Sequence, residues 1–395
     1  MNGPAPDTRQ ARVPPWRNEH VLRVAAQAVV LLAAALFVGF LVRNLTGAMS
    51  ERGLSLGFGF LDLTAGFDIA ESPIPYRSTD TYGQAFLVGL LNTLSVSAAG
   101  IVLATILGVL VGVARLSTNW LVNRVASVYV EIIRNTPLLV QLVILYFAVF
   151  LQLPPVADAV ELPGAIFLSQ RGLFLPAPEL TPSFGRWLVF VAVGLGVAVA
   201  AGVVAARRAS AGRPTRRLGM IGLVTFVAIS VGGWLLAFQA PIVIDLPARQ
   251  RFNFVGGMGL SPEFAALLFG LVLYTAAFIG EVVRGGIQAV RRGQWEAARA
   301  LGLSERQALR LIVFPQALRV IVPPLTSQYL NLAKNSSLAI AIGYPDLFKI
   351  GVTMSNQTGQ PVPVILLVMG TYLVISLATS LLMNIYNRRV QVLES

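Results

Sequence analysis

The feature that most constrains this chain is a series of apolar runs, each nearly free of charge and about 20 residues long. That is the length a helix needs to cross a hydrocarbon layer roughly 30 Å thick. The run FLVGLLNTLSVSAAGIVLATILGVLVGVA (86–114) shows the type. Eight such spans are expected, near 22–42, 85–114, 133–153, 187–206, 218–239, 263–283, 319–345 and 362–386. A membrane β-barrel would instead show short alternating segments. Only 12% of residues are charged, about half the share of soluble domains. The fold class is therefore an all-α polytopic membrane protein of about eight transmembrane helices. Residues 1–21 read as a polar tail and 22–42 as a retained first span, too long for the apolar stretch of a cleaved signal. The second run is long enough to tilt or to project beyond the bilayer. The seventh contains Pro323, Pro324, Lys334 and Asn335 and is expected to be broken.

The net charge of +12 would point to nucleic acid in a soluble protein. Here the basic residues follow the loops instead. With the N-terminus placed inside, 20 of the 30 basic residues fall on the inner side: in the tail, 115–124, 207–217, 284–319 and 388–389. Seven fall outside. That bias sets an orientation with both termini cytoplasmic, and no nucleic-acid role is read from it. The outer loops 43–84, 154–186 and 240–262 are read as short interfacial helices and turns, or as a docking face for a soluble partner. There is no cysteine and one histidine, His20 in the tail, so thiolate and histidine metal sites and acid–base chemistry are not expected. No glycine-rich phosphate loop precedes Lys334 or Lys349, the only lysines. The chain is read as neither an ATPase nor an enzyme, with no cofactor.

One stretch resists the apolar pattern. QWEAARALGLSERQALRLIVFPQALR (294–319) lies in a segment, 284–319, whose seven arginines and two glutamates leave a charge of +5. GQWEAARAL favours helix, Gly302 suits a left-handed terminus, and Ser304 with Gln307 forms a capping-box pattern. Pro315 is expected to kink or restart the second helix. The result is a helical hairpin projecting from the membrane, with Ala297, Ala298, Leu301 and Leu303 as an apolar face. Either a partner covers that face, or the hairpin lies on its own bundle or on headgroups.

Glu296, Ala297, Ala298, Gly302, Ile312 and Pro315 resemble, at matching spacing, the EAA signature of ABC importer permeases. LLNTLSVSAAGIVLATILGVLVGVARLS (90–117), EIIRNTPLLVQLVILYF (131–147), TAAFIGEVVRGGIQAVRRGQWEAA (275–298) and NLAKNSSLAIAIGYPDL (331–347) are similar to polar amino acid permeases of the histidine/glutamine type. The length and layout resemble the longer general and acidic amino acid permeases. The resemblance implies a five-helix type I importer core (85–153 and 263–390, within a transmembrane domain at 85–390), preceded by a periplasmic loop at 43–84. The first span and the pair at 187–239 are additions to that core. It also implies that the hairpin, with Leu301, is a coupling loop for separate ATP-binding subunits. The other implied partners are a second, different permease chain, a periplasmic amino-acid-binding protein and membrane lipid, and the implied location is the bacterial inner membrane. The expected cargo is polar L-amino acids: glutamate, glutamine, aspartate and asparagine, or a broad range. An ion-coupled secondary amino acid transporter is the alternative, but it would show repeat-related halves, and none are evident.

Polar side chains inside spans are costly and mark candidate pathway positions. These are Asn92 and Thr93 on the second span, and Glu131, Arg134, Asn135, Thr136 and Gln141 around the third. Glu281 and Arg284 close the sixth; Gln328, Asn331, Lys334, Asn335, Ser336 and Ser337 interrupt the seventh. Arg134 and Lys334 are candidates for a substrate carboxylate and Glu281 for its ammonium group. Against this, Glu281 three residues before Arg284 also reads as an intrahelical pair, and Arg134 as a snorkelling side chain. Gly100, Gly108, Gly112, Gly194, Gly196 and Gly202 are expected to permit close helix packing.

Overall fold

A computed structural model describes residues 19–51, 57–209, 216–237 and 239–392. Most of the tail, with Arg9, Arg12 and Arg17, lies outside the described residues, as do Arg52 and Arg213. Twelve helices are described: α1 Glu19–Glu51, α2 Tyr82–Ala114, α3 Trp120–Asn135, α4 Leu138–Val143, α5 Phe184–Ala209, α6 Arg216–Leu235, α7 Pro262–Gln288, α8 Arg292–Ala300, α9 Glu305–Ala308, α10 Phe314–Asn335, α11 Leu347–Thr358 and α12 Pro361–Val392. Six helical stretches are long and apolar enough to span a membrane, and seven if the bent pair of α3 with the helical run 138–152 counts as one. The expected span at 218–239 forms a shorter apolar helix, Gly219–Leu235.

The third span differs from expectation. It is the far arm of a pair bent by 106°, whose near arm, α3, begins at Trp120. Thr136 is extended and Pro137 follows, since a residue before proline is pushed out of the helical region. The break leaves carbonyls of α3 without helical partners. The buried Gln141 amide supplies them, donating to Ile133 O at 2.9 Å and Thr136 O at 3.0 Å. The seventh span is interrupted at Ser336 and Ser337, among the residues expected to break it, and not at its prolines. α10 runs unbroken through Pro323 and Pro324, supported by α7 and α12. The helix tightens to a 3-10 turn at Ser336–Ile342 and stops at Gly343.

α7 is the central span: about two thirds of its most apolar window is buried, against none of α1's. It packs most extensively on α2. A Cβ at Gly108 would lie 2.6 Å from Ile279 Cβ, and one at Gly112 would lie 2.7 Å from Val283 Cβ and 2.8 Å from Gly280 O. The seam therefore requires hydrogen at both positions. Gly196 and Gly202 have open space around them and play no such part. Leu142, Leu267, Leu271, Leu332 and Val313 fill the core around α7.

The loops at 154–186 and 240–262 are small antiparallel sheets rather than interfacial helices and turns. β1 Val160–Leu162, β2 Ile166–Ser169, β3 Gly172–Leu175 and β8 Met258–Leu260 form one sheet in that order. β4 Ala177–Leu180 pairs with β5 Ile242–Asp245, and β6 Ala248–Arg249 with β7 Phe254–Val255. The helix pair α5–α6 is carried between β4 and β5, and β8 leads into α7 through Ser261. α5 and α6 hold each other through an edge-on Trp187–Trp234 contact at 5.5 Å and the Trp187 indole donating to Ser230 O.

Gly112→Val should lower the unfolding free energy of the purified chain by roughly 3 kcal/mol, the upper end of overpacking costs. Gly196→Val should shift thermal unfolding little; equal shifts in a detergent melting assay would contradict the seam.

Candidate functional site

The hairpin at one end of the bundle is built locally. α8 ends in paired turn bonds, Gly302 N–H to Arg299 O and Leu303 N–H to Ala298 O, with Gly302 at φ +74°. This Schellman arrangement needs a left-handed residue, which glycine adopts without a Cβ clash. Ser304 and Gln307 then make a full capping box at the start of α9. A wide π-helical turn, Leu309–Val313, contains Ile312 and precedes Pro315. The wider turn spares Pro315 the clash a regular helix would impose. Trp295 packs on the main core, and Gln316 donates to Gln294 across the hairpin at 3.1 Å.

The expected apolar face is corrected here. Ala298 is fully buried, as are Ala308 and Val313, and α8 folds against α9 and the wide turn after it. The outward positions are Glu296, Ala297 and Leu301, the last 76% exposed.

Further into the bundle, α2, α3 and α7 converge on Glu281. Its carboxylate accepts hydrogen bonds from Arg115 and Arg284, and Arg134 Nη1 lies 3.9 Å away. The predicted pair with Arg284 is present, but the partner from α2 is one that sequence spacing could not reveal, being 166 residues away. Three guanidinium groups around one carboxylate leave a positive surplus. A hollow of about 380 Å³ opens beside it, lined by Arg115, Glu131, Arg134, Asn135 and Phe278 among others. The Arg134 guanidinium lies 5.1 Å from the Phe278 ring centre, a cation–π contact. Phe278 also walls a second hollow of about 260 Å³ with Tyr274, Thr275, Gln328, Asn331 and Asn335.

Other candidate pathway residues lie elsewhere. Asn92 is buried; its amide donates to Glu71 O and Pro345 O, both at 2.9 Å. Thr93 Oγ1 accepts the Leu347 N–H at 3.0 Å. Both hold the start of α11 against α2. Thr136 and Gln141 are spent on the α3–α4 bend, Thr136 Oγ1 donating to Ile132 O. Ser336 is buried and donates to Ala333 O. Lys334 faces an apolar groove toward α12 with Phe348 and Tyr372, not the hollow beside Arg134.

In sequence, the chain is similar to several transport proteins. The family described as "Binding-protein-dependent transport system inner membrane component" matches residues 198–392. The putative amino-acid ABC transporter permease YhdX of Escherichia coli is 47% identical, over 93% of this chain and 94% of that protein. The general L-amino acid permease AapQ of Rhizobium johnstonii is 42% identical, over 93% and 92%. The glutamate/glutamine/aspartate/asparagine permease BztB of Rhodobacter capsulatus is 41% identical, over 94% of each. The chain belongs to the amino acid ABC transporter permeases. It is a multi-pass transport subunit, and its family implies ATP-binding subunits and a substrate-binding protein. Nothing observed favours the ion-coupled alternative.

This permease also holds a buried acid that the sequence reading did not single out. Asp346 lies between the last two spans, fully buried, capping α11 by accepting the Lys349 N–H at 2.9 Å and meeting the Tyr372 hydroxyl at 3.3 Å. The Pro-Asp pair before an apolar helix was its signal. Burial pushes its carboxyl from 3.8 up to about 6, against the lowering effect of its hydrogen bonds. An acid raised in the folded state is protonated there before the unfolded chain is, so stability falls as pH rises from about 4 to 6. Asp346→Asn keeps the cap and should lose that component: the melting temperature of the wild-type permease relative to the variant should drop across this window. A constant difference would refute the shift.

Because the permease has no cysteine, single thiols report the hairpin directly. In the isolated chain, Ala297→Cys and Leu301→Cys should react rapidly with a water-soluble maleimide, and Ala298→Cys should react at least tenfold more slowly. Equal rates would overturn the packing of α8.

Proposed function

We propose that this chain is a permease subunit of an ATP-driven importer of polar L-amino acids in a bacterial inner membrane. In this reading the hairpin, through Glu296, Ala297 and Leu301, docks on a separate ATP-hydrolysing subunit at the cytoplasmic face. Ala298, Gly302, Ile312 and Pro315 give the hairpin its shape. The sheets face the periplasm and a binding protein, both termini are cytoplasmic, and the second permease of the pair is a different chain. The arginine bias supports this orientation. The names of AapQ and BztB, which carry general L-amino acids and acidic residues with their amides, support the cargo.

The observation that carries the mechanism is α10. This helix leaves the hairpin at Phe314 and reaches Gln328, Asn331 and Asn335 in the second hollow. Movement of a docked hairpin is thereby transmitted along a packed helix to the hollows. ATP binding would draw two such hairpins together and open the bundle outward; hydrolysis would restore the inward-facing state. A zwitterionic amino acid presents a carboxylate to Arg134, whose neighbour Glu281 is already committed to Arg115 and Arg284. Asn331, Asn335 and Gln328 offer amide donors and acceptors for the remaining polar groups. Lys334 is assigned no part in the pathway.

In proteoliposomes containing the complete transporter, Arg134→Gln should reduce ATP-driven uptake of labelled glutamate or glutamine at least tenfold, with assembly and basal ATP hydrolysis retained. Lys334→Gln should transport at close to the parental rate. Parental transport by Arg134→Gln would remove Arg134 from the pathway.

A further inference from the structure

A groove at the hairpin end remains outside the reading above. It encloses about 930 Å³ between the bundle and the hairpin, within the range of small-molecule sites. Its chemistry is divided. The walls are Leu110 and Val113 from α2, Val122 from α3, and Trp295 from α8, with Arg292 and Arg306 at the hairpin edge. Leu110 is 62% exposed and Val113 41%. Both lie in the last turns of a spanning helix, so the apolar part of the groove is open toward the outside of the bundle. The basic part belongs to the projecting hairpin.

The charges at the rim are unbalanced. Glu305, the one acid lining the groove, is paired with Arg299 at 3.4 Å. Among the described residues, neither Arg292 nor Arg306 has an ion-pair partner. The groove also borders the start of α8, whose first turn has no side-chain cap. Two unpaired guanidinium groups above an apolar slot match an amphiphile with an anionic head and a hydrocarbon tail. A soluble protein segment would have to bring apolar side chains against Leu110, Val113 and Val122 to fill the same space.

We infer that this groove binds an anionic phospholipid, its phosphate held by Arg292 and Arg306 and an acyl chain lying along Leu110, Val113 and Val122. The lipid would wedge between coupling hairpin and bundle, making hairpin position sensitive to membrane charge.

Trp295 supplies the readout. The chain has five tryptophans; replacing Trp16, Trp120, Trp187 and Trp234 by Phe leaves Trp295 as sole emitter. The full chain is reconstituted in phosphatidylcholine vesicles with increasing fractions of phosphatidylglycerol brominated on its acyl chains. Trp295 quenching should half-saturate at a much lower fraction of brominated phosphatidylglycerol than of brominated phosphatidylcholine. Arg292→Gln and Arg306→Gln should each weaken that preference about fivefold, the factor given by about 1 kcal/mol per basic side chain near an anionic leaflet. Lys at either position should preserve most of it. Equal quenching by the two lipids, or indifference to both Gln variants, would overturn the inference. So would loss of quenching when ATP-binding subunits are added, since the occupant would then be protein. Should the four-Phe chain fail to fold, native mass spectrometry of the wild-type chain from mixed micelles replaces it. Retained phosphatidylglycerol that disappears in the Arg292→Gln/Arg306→Gln double variant supports the site, and retention unchanged by the variant overturns it. Neither readout depends on transport.

Discussion

The backbones of α2 and α7 approach each other where Gly108 and Gly112 meet Ile279, Val283 and Gly280, and much of the structure follows from that approach. Inside a bilayer, apolar surface alone gives helices little reason to prefer each other over lipid, so close contact must supply the association. Here it brings the end of α2 alongside the last turns of α7. Arg115 is thereby delivered to Glu281, which already has Arg284 one turn away. With its carboxylate occupied twice, Glu281 cannot fully neutralise Arg134 arriving on α3. The positive hollow is a consequence of helix packing, not a motif in any one segment.

The hairpin and the hollows are joined by continuous structure. Gly302 and the Ser304–Gln307 box set the hairpin's shape, the wide turn at Leu309–Val313 admits Pro315, and α10 continues from there. The same helix ends in the tightened turn at Ser336–Ile342, beyond which Asn92 and Thr93 pin the start of α11 to α2, while Asp346 caps α11 and meets Tyr372 of α12. α10 itself is packed along its length against α7 and α12. The additions to this core are differently built. α5 and α6 pack on each other and connect to the rest through a ribbon of two strands, so they can vary without disturbing the α2–α7 seam.

Most of the spans and the hairpin were legible in sequence because each depends on local information: apolar run length, a glycine at a helix end, a Ser-to-Gln spacing; the near arm of the bent third span, α3 from Trp120, was not. Arginine placement added an expected orientation. The EAA pattern was legible for the same reason, since its residues shape a turn and two short helices within 20 positions. The β-strands were not legible. They are short, lie among glycine and proline, and become strands through distant pairings, such as β3 with β8.

Polar residues within the spans carried the least information on their own. Asn92, Thr93, Gln141 and Ser336 looked like pathway groups by composition, yet each satisfies backbone groups at a break, a need that arises only once the helices are interrupted and packed. Lys334 and Arg134 looked equivalent, but helix rotation turns one toward α12 and the other toward Phe278. Ala298 looked outward because helical periodicity cannot show that the hairpin folds back over it. The sequence by itself determined a membrane-spanning helical chain with a projecting hairpin, because hydrophobic length and turn chemistry are local; its amino acid permease character was legible only through the resemblance of its motifs to that family. Only the tertiary structure decided which charges meet, because the Arg115–Glu281 contact joins residues 166 positions apart that come together solely through the glycine seam.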